Sequence, residues 1–158
     1  MKKFRMVMLG IIITTLVCVV LFIWFIAYSS TTNLSQHMPF KGYLNNPFLV
    51  KQPSALKRSA KSVNRFSDYY IDVSSEEAFE NDKTILKKYK IGDTIIFTSA
   101  KKYFSYHVGD SYYLLGKEKL DSGEIIEFEY ATSFEYLPAI WETLEEFLER
   151  RKLKNDFP

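Results

Sequence analysis

Residues 2–32, KKFRMVMLGIIITTLVCVVLFIWFIAYSSTT, decide how the rest of the chain has to be read. Lys2, Lys3 and Arg5 precede an almost unbroken apolar run from Met6 to Ala27, which is closed by Ser29, Ser30, Thr31 and Thr32. A run of about 22 residues at ~1.5 Å per residue reaches ~33 Å, enough to cross a hydrocarbon core of ~30 Å. A secretory signal peptide has a shorter apolar region of roughly 7 to 15 residues, although Ala27 and Ser29 offer the small residues that a signal peptidase inspects. The expectation is an uncleaved single-pass signal anchor over residues 6–28. No lysine or arginine follows the run until Lys41, so the positive-inside rule places residues 1–5 in the cytoplasm and everything from about Ser29 outside. Trp24 and Tyr28 fit the aromatic belt at the outer face.

Cys18 is the only cysteine of the 158 residues and lies mid-run. An intrachain disulfide is therefore impossible and a Cys/His metal site is not expected. An exported part free of thiols and rich in Lys, Asn, Tyr and Phe points to a bacterial inner membrane. The net charge of +2 hides an asymmetry. Between Ser29 and Ser67 stand six basic residues and no acidic one, whereas residues 68–158 hold all 19 acidic residues against 12 basic, a formal charge of −7. The basic stretch has two readings. It pairs with the chain's own acidic body, or a patch of Lys57, Arg58 and Lys61 lies against anionic headgroups or an anionic envelope polymer. Nothing interleaves aromatic residues with these charges as a nucleic-acid groove would, so no nucleic-acid partner is expected.

Residues 29–36 read as a polar tether, leaving residues 37–158 for one domain large enough to bury a core without disulfides. Asn45, Asn46, Pro47 and Pro53 interrupt the apolar groups around Tyr43 to Val50, where an edge strand is expected. Tyr69–Val73 is aromatic and β-branched and reads as a strand. Ser74 and Glu77 have capping-box spacing, and Ala78, Phe79, Ile85, Leu86 and Tyr89 follow at roughly helical intervals, so a helix is predicted up to the stop at Gly92. β signals then recur at Thr94–Thr98, Tyr103–His107, Ser111–Leu115 and Glu124–Tyr130, with Gly109 and Asp110 forming a hairpin turn. Leu137, Ile140, Trp141, Leu144, Phe147 and Leu148 keep three- and four-residue spacings among glutamates, which predicts an amphipathic C-terminal helix opening at Pro138. The expected fold is a single N-terminal transmembrane helix plus an α+β exported domain. That domain is a small, strongly bent antiparallel sheet or partly open barrel of the SH3 or OB type, with an inserted helix and a C-terminal amphipathic helix.

No G-x-S-x-G or H-E-x-x-H pattern occurs and no cofactor motif is present, so neither catalysis nor a cofactor is expected. His107 beside the turn, with Glu127 and Glu129 on one face of a strand, is the only constellation a hydrolase could use. An acidic solvent face accounts for the two glutamates without chemistry. Aromatic residues concentrate in the hairpin: Tyr103, Phe104, Tyr106, Tyr112 and Tyr113. Alternation forbids all five from entering one core, and an outward tyrosine is an efficient binding anchor. The sequence therefore points to a membrane-anchored extracytoplasmic module that binds a protein partner through this hairpin, as an envelope-complex subunit or an immunity-type inhibitor would. A membrane-tethered envelope hydrolase and an envelope-polymer-binding protein are the alternatives.

Overall fold

An uninterrupted helix, α1 (Lys2–Ala27), takes up the apolar run in a computed structural model of the chain, which describes residues 2–59, 65–132 and 136–155. Within the span Phe4–Ala27 an 18-residue window has a mean hydropathy of 3.0 and none of that window is buried, so the helix is long and apolar enough to cross a membrane. Tyr28 alone separates it from strand β1 (Ser29–Asn33). The first five residues of the expected tether are thus built into the sheet, where the ladder satisfies backbone groups that a free polar segment leaves to water.

Seven further strands follow: β2 (Pro47–Leu49), β3 (Ser54–Arg58), β4 (Tyr69–Val73), β5 (Ile85–Tyr89), β6 (Thr94–Ser105), β7 (Gly109–Lys119) and β8 (Ile125–Thr132). They form a mixed, mostly antiparallel sheet in the order β1-β6-β7-β8-β4-β3-β5, with β2 also paired to β6. The parallel contact is β4 beside β8, registered at Tyr70 and Glu129. The separate strands expected at 94–98 and 103–107 are one strand, kinked by a bulge between Phe97 and Ser99 that lets its two halves hold β2 and β1 in turn. Side chains from distant strands also meet. Glu118 of β7 accepts hydrogen bonds from Lys87 (3.0 Å) and the Tyr89 hydroxyl (2.7 Å) of β5, at the far end of the strand order.

The helix expected after Ser74 is not formed. Only a single 3-10 turn, Glu77–Phe79, survives, and its N-cap residue, Glu76, makes no side-chain capping bond. Asp82 then accepts from both the amide and the hydroxyl of Thr84, a local turn that ends any helical run. Residues 85–89 enter the sheet as β5, with Ile85, Lys87 and Tyr89 more buried than Leu86 and Lys88. The cause is β3. Its residues Ser54, Ala55, Leu56 and Lys57 are all buried, and it has β4 on one side and β5 on the other. Its Ser-Ala-Leu-Lys-Arg sequence has no β-branched residue and no alternation, so nothing local marks it as a strand.

The core gathers Val50, Leu56, Phe97, Leu114, Phe128 and Ile140, all essentially inaccessible. Trp141 packs over Phe48 (ring centroids 4.6 Å apart) and Phe97 (5.8 Å). Ile140 and Trp141 do so from a turn rather than from a helix. The Ile140 amide donates to the Tyr130 hydroxyl, and the Gln52 amide group donates to the carbonyls of Ala139 and Glu142. Helix α2 (Leu144–Asn155) therefore starts later than Pro138. A capping box missed in the sequence opens it: the Glu146 amide donates to the Thr143 hydroxyl and the Thr143 amide to the Glu146 carboxylate.

Gly116 of β7 lies under the Phe128 ring. A Cβ there would press into that ring and come 2.6 Å from the Ile96 carbonyl oxygen. Gly116→Ala is expected to cost about 1–3 kcal/mol by overpacking, read as a lower midpoint in urea unfolding.

Candidate functional site

The five hairpin aromatics divide as strand alternation requires, and each subset is met by a different part of the chain. Lys101, Tyr103 and Tyr113 share one face of β6–β7. Segment 65–67 lies over it: the Arg65 guanidinium stands 4.3 Å from the Tyr103 ring, Phe66 meets Tyr113 edge-on at 5.2 Å, and the Lys101 ammonium stands 4.8 Å from the Phe66 ring. On the opposite face Tyr112 stacks on Phe40 at 5.4 Å. Phe104 faces Tyr28 at 6.4 Å. Tyr106 lies just past the last β6–β7 pair and stacks on Phe25 of α1, with centroids 4.1 Å apart and planes within 19°. The hairpin thus contributes to three separate groups of contacts and not to one open aromatic surface.

Glu129 holds the first cluster in place. Expected on an acidic solvent face, it is instead 3% exposed, because segment 65–67 covers it. Its carboxylate accepts from the amides of Arg65 (3.1 Å), Phe66 (2.6 Å) and Ser67 (3.2 Å). The Ser67 hydroxyl adds a bond to the Glu127 carbonyl. Burial, then the charge of Glu129, pushes the Tyr113 hydroxyl above its ordinary pKa. Beside this cluster a cleft of about 450 Å³ runs along Asp110, Ser111, Tyr112, Tyr113, Thr132 and Tyr136. It is the place where two of the sequence-predicted tyrosines border an open concavity.

The residues a hydrolase would need are apart. His107 is exposed at the hairpin tip, Glu127 is exposed and paired with Lys117 at 3.1 Å, and Glu129 is engaged as described. Among the described residues no group of three His, Cys, Asp or Glu comes together to hold a metal ion.

The expected basic patch does not assemble as three free cations. Lys57 is 8% exposed, with its ammonium 2.7 Å from Asp72 and 2.8 Å from Asp82. Burial works against its charge, but the bonds to Asp72 and Asp82 outweigh it and raise its pKa. Arg58 is exposed, and Lys61 lies outside the described residues. Elsewhere in the basic stretch, Lys51 pairs with Glu146 of α2.

Helix α2 carries the second half of the apolar stripe that the sequence places in the C-terminal segment. Among its described side chains Phe147 is the buried one. Leu144 and Leu148, one turn apart, are 63% and 45% exposed, and Glu145 and Glu149 flank them. The sequence pattern located the helix, but its combination of one buried phenylalanine with uncovered leucines is visible only once Ile140 and Trp141 are seen to leave it.

Two outcomes follow from these contacts. Glu129→Gln removes the negative charge and leaves one oxygen instead of two to accept from three backbone amides, so a loss of about 1–3 kcal/mol is expected, with faster hydrogen exchange at residues 65–67. Asp82 is held below its ordinary 3.8 by the bond from Lys57, then by those from Thr84, so it stabilises the fold above that pH and ceases to do so as pH falls through its lower folded value. Lys57→Met should lower the unfolding midpoint at neutral pH and flatten its decline below pH 3.8. No protein-family model matches the chain, and no significant match is found among curated proteins or solved structures.

Proposed function

We propose that the protein is a single-pass, membrane-anchored binding module whose domain lies outside the cytoplasm and docks a protein partner through α2. On this reading α1 is an uncleaved anchor in a bacterial inner membrane with its N-terminus in the cytoplasm. The stacking of Phe25 on Tyr106, and of Tyr28 near Phe104, supports retention of the helix, because the domain uses these rings in its own packing. On the same reading the sheet is a strongly bent, partly open barrel. It is supported by Glu118 of β7 reaching Lys87 and Tyr89 across the strand order.

The observation that carries the binding role is the uncovered pair Leu144 and Leu148. A helix in a groove is read through apolar anchors at three- and four-residue spacing, and two leucines one turn apart supply such anchors. Capping by Thr143 and Glu146, the buried Phe147 and the Lys51–Glu146 pair hold the helix at a defined place, so the anchors are presented in order rather than frayed. Glu145 and Glu149 beside them favour a partner whose apolar groove has a basic rim. This moves the contact surface from the hairpin, whose tyrosines are largely engaged, to the terminal helix.

A photoreactive phenylalanine analogue at position 148, in the full chain in native membranes, is expected to give one discrete protein adduct. Leu144→Asp should reduce it several-fold, and the same probe at Leu153, on the opposite side of α2, should not form it. Equal labelling from both positions, or adducts insensitive to Leu144→Asp, would reject α2 as the docking surface.

A further inference from the structure

We propose that the tip of the β6–β7 hairpin, Tyr106 to Val108, is a second membrane contact, seated at the boundary of headgroups and acyl chains beside the outer end of α1. The inference rests on the reading of α1 as a membrane span, and its geometry comes from the register of β1 on β6. Ser29, one residue beyond Tyr28, pairs with Ser105, and the antiparallel ladder then runs outward to Asn33 opposite Lys101. β6 consequently travels back toward the helix, and the residues after Ser105 continue past the first strand residue outside α1. Tyr106 confirms this direction by stacking on Phe25, inside the apolar span that ends at Ala27.

That span of 24 residues reaches ~36 Å at ~1.5 Å per residue, against a hydrocarbon thickness of ~30 Å. Phe25 therefore sits near the outer boundary of the acyl chains, and the tyrosine ring stacked on it sits at the same depth. Trp24, Tyr28 and Phe104 complete the surround, with Tyr28 6.0 Å from Trp24 and 5.6 Å from Tyr106. Aromatic rings with a polar edge favour this depth. The tip exposes what a bilayer would cover: Tyr106 is 51% and Val108 59% accessible, and His107 between them is exposed. The tip is also held firmly. Gly109, at φ +81, makes the turn into β7, and the Val108 amide donates to the Ser105 hydroxyl. The occupant of this surface is the lipid of the same membrane. Two contacts, the span and the tip, then set the domain's orientation.

Full-length protein reconstituted in phosphatidylcholine and phosphatidylglycerol vesicles tests this with an environment-sensitive fluorophore at single cysteines. The native Cys18, mid-span, reports the helix. In a Cys18→Ala background, Val108→Cys reports the tip and Asp121→Cys, in the turn at the other end of β7, reports the far side of the domain. Each labelled protein is checked for the parent's circular dichroism. Lipids carrying a nitroxide near the top of the acyl chain are expected to remove most of the emission at 108 and leave 121 unchanged, while a nitroxide near the chain's middle quenches the label at Cys18. Quenching at Cys18 with 108 behaving like 121 overturns the tip contact and leaves the span standing. An unquenched Cys18 overturns the span, and the tip contact falls with it. Protection of 108 by crosslinking to a protein, without lipid quenching, also overturns it.

Discussion

The antiparallel ladder between β1 and β6 is the constraint on which the rest depends. Because Ser29 is paired one residue after Tyr28, the apolar helix enters the sheet with almost no slack. A flexible linker would let helix and domain rotate independently, whereas a strand paired over five residues fixes both direction and face. β6 in turn carries β7 along its other side, so the hairpin, the aromatic rings at the helix end and the sheet share one frame. The kink between Phe97 and Ser99 lets the same strand accept β2 at its start.

Among the described residues two charged side chains, Lys57 and Glu129, act inside this frame. Lys57 joins β3 to Asp72 of β4 and to Asp82 before β5, pinning one strand that the local sequence marks to two that it does not. A buried ammonium shared by two carboxylates is strongly dependent on its partners, since removal of either side leaves a charge without compensation. Glu129 does comparable work with neutral donors, gathering three successive amides. The asymmetry between a basic N-terminal stretch and an acidic body is thus partly internal pairing, with Lys51 and Lys57 as described examples.

The aromatic residues serve three purposes that composition alone does not separate. Phe97, Phe128 and Tyr130 belong to the core, and Tyr130, buried with its hydroxyl taking the Ile140 amide, has its pKa pushed up to about 12, chiefly by that burial. Tyr103 and Tyr113 hold a cationic and aromatic cover formed by Arg65 and Phe66. Tyr106 and Phe104 meet the end of α1. Cation–π and edge-to-face contacts make the middle group specific to its cover, which explains why it is not an open binding surface.

The sequence by itself determined the features that depend on near neighbours. The length and hydropathy of residues 6–27 yield a helix able to cross a membrane, aromatic and β-branched residues mark Tyr69–Val73, β signals mark the strands after Gly92, and leucine and phenylalanine spacing marks the terminal helix. Its division of the hairpin tyrosines between two faces also follows from the period of two. Tertiary structure alone decided the rest. Residues 85–89 have helical spacing but are a strand because β3, buried on both sides and lacking any local β signal, takes them as a neighbour. Glu129 looks like a solvent residue and is buried because a segment more than sixty positions away in the chain needs an acceptor for its amides. Pairing partners and acceptors distant in sequence have no imprint on local periodicity, so burial and role at these positions emerge only when the sheet has assembled.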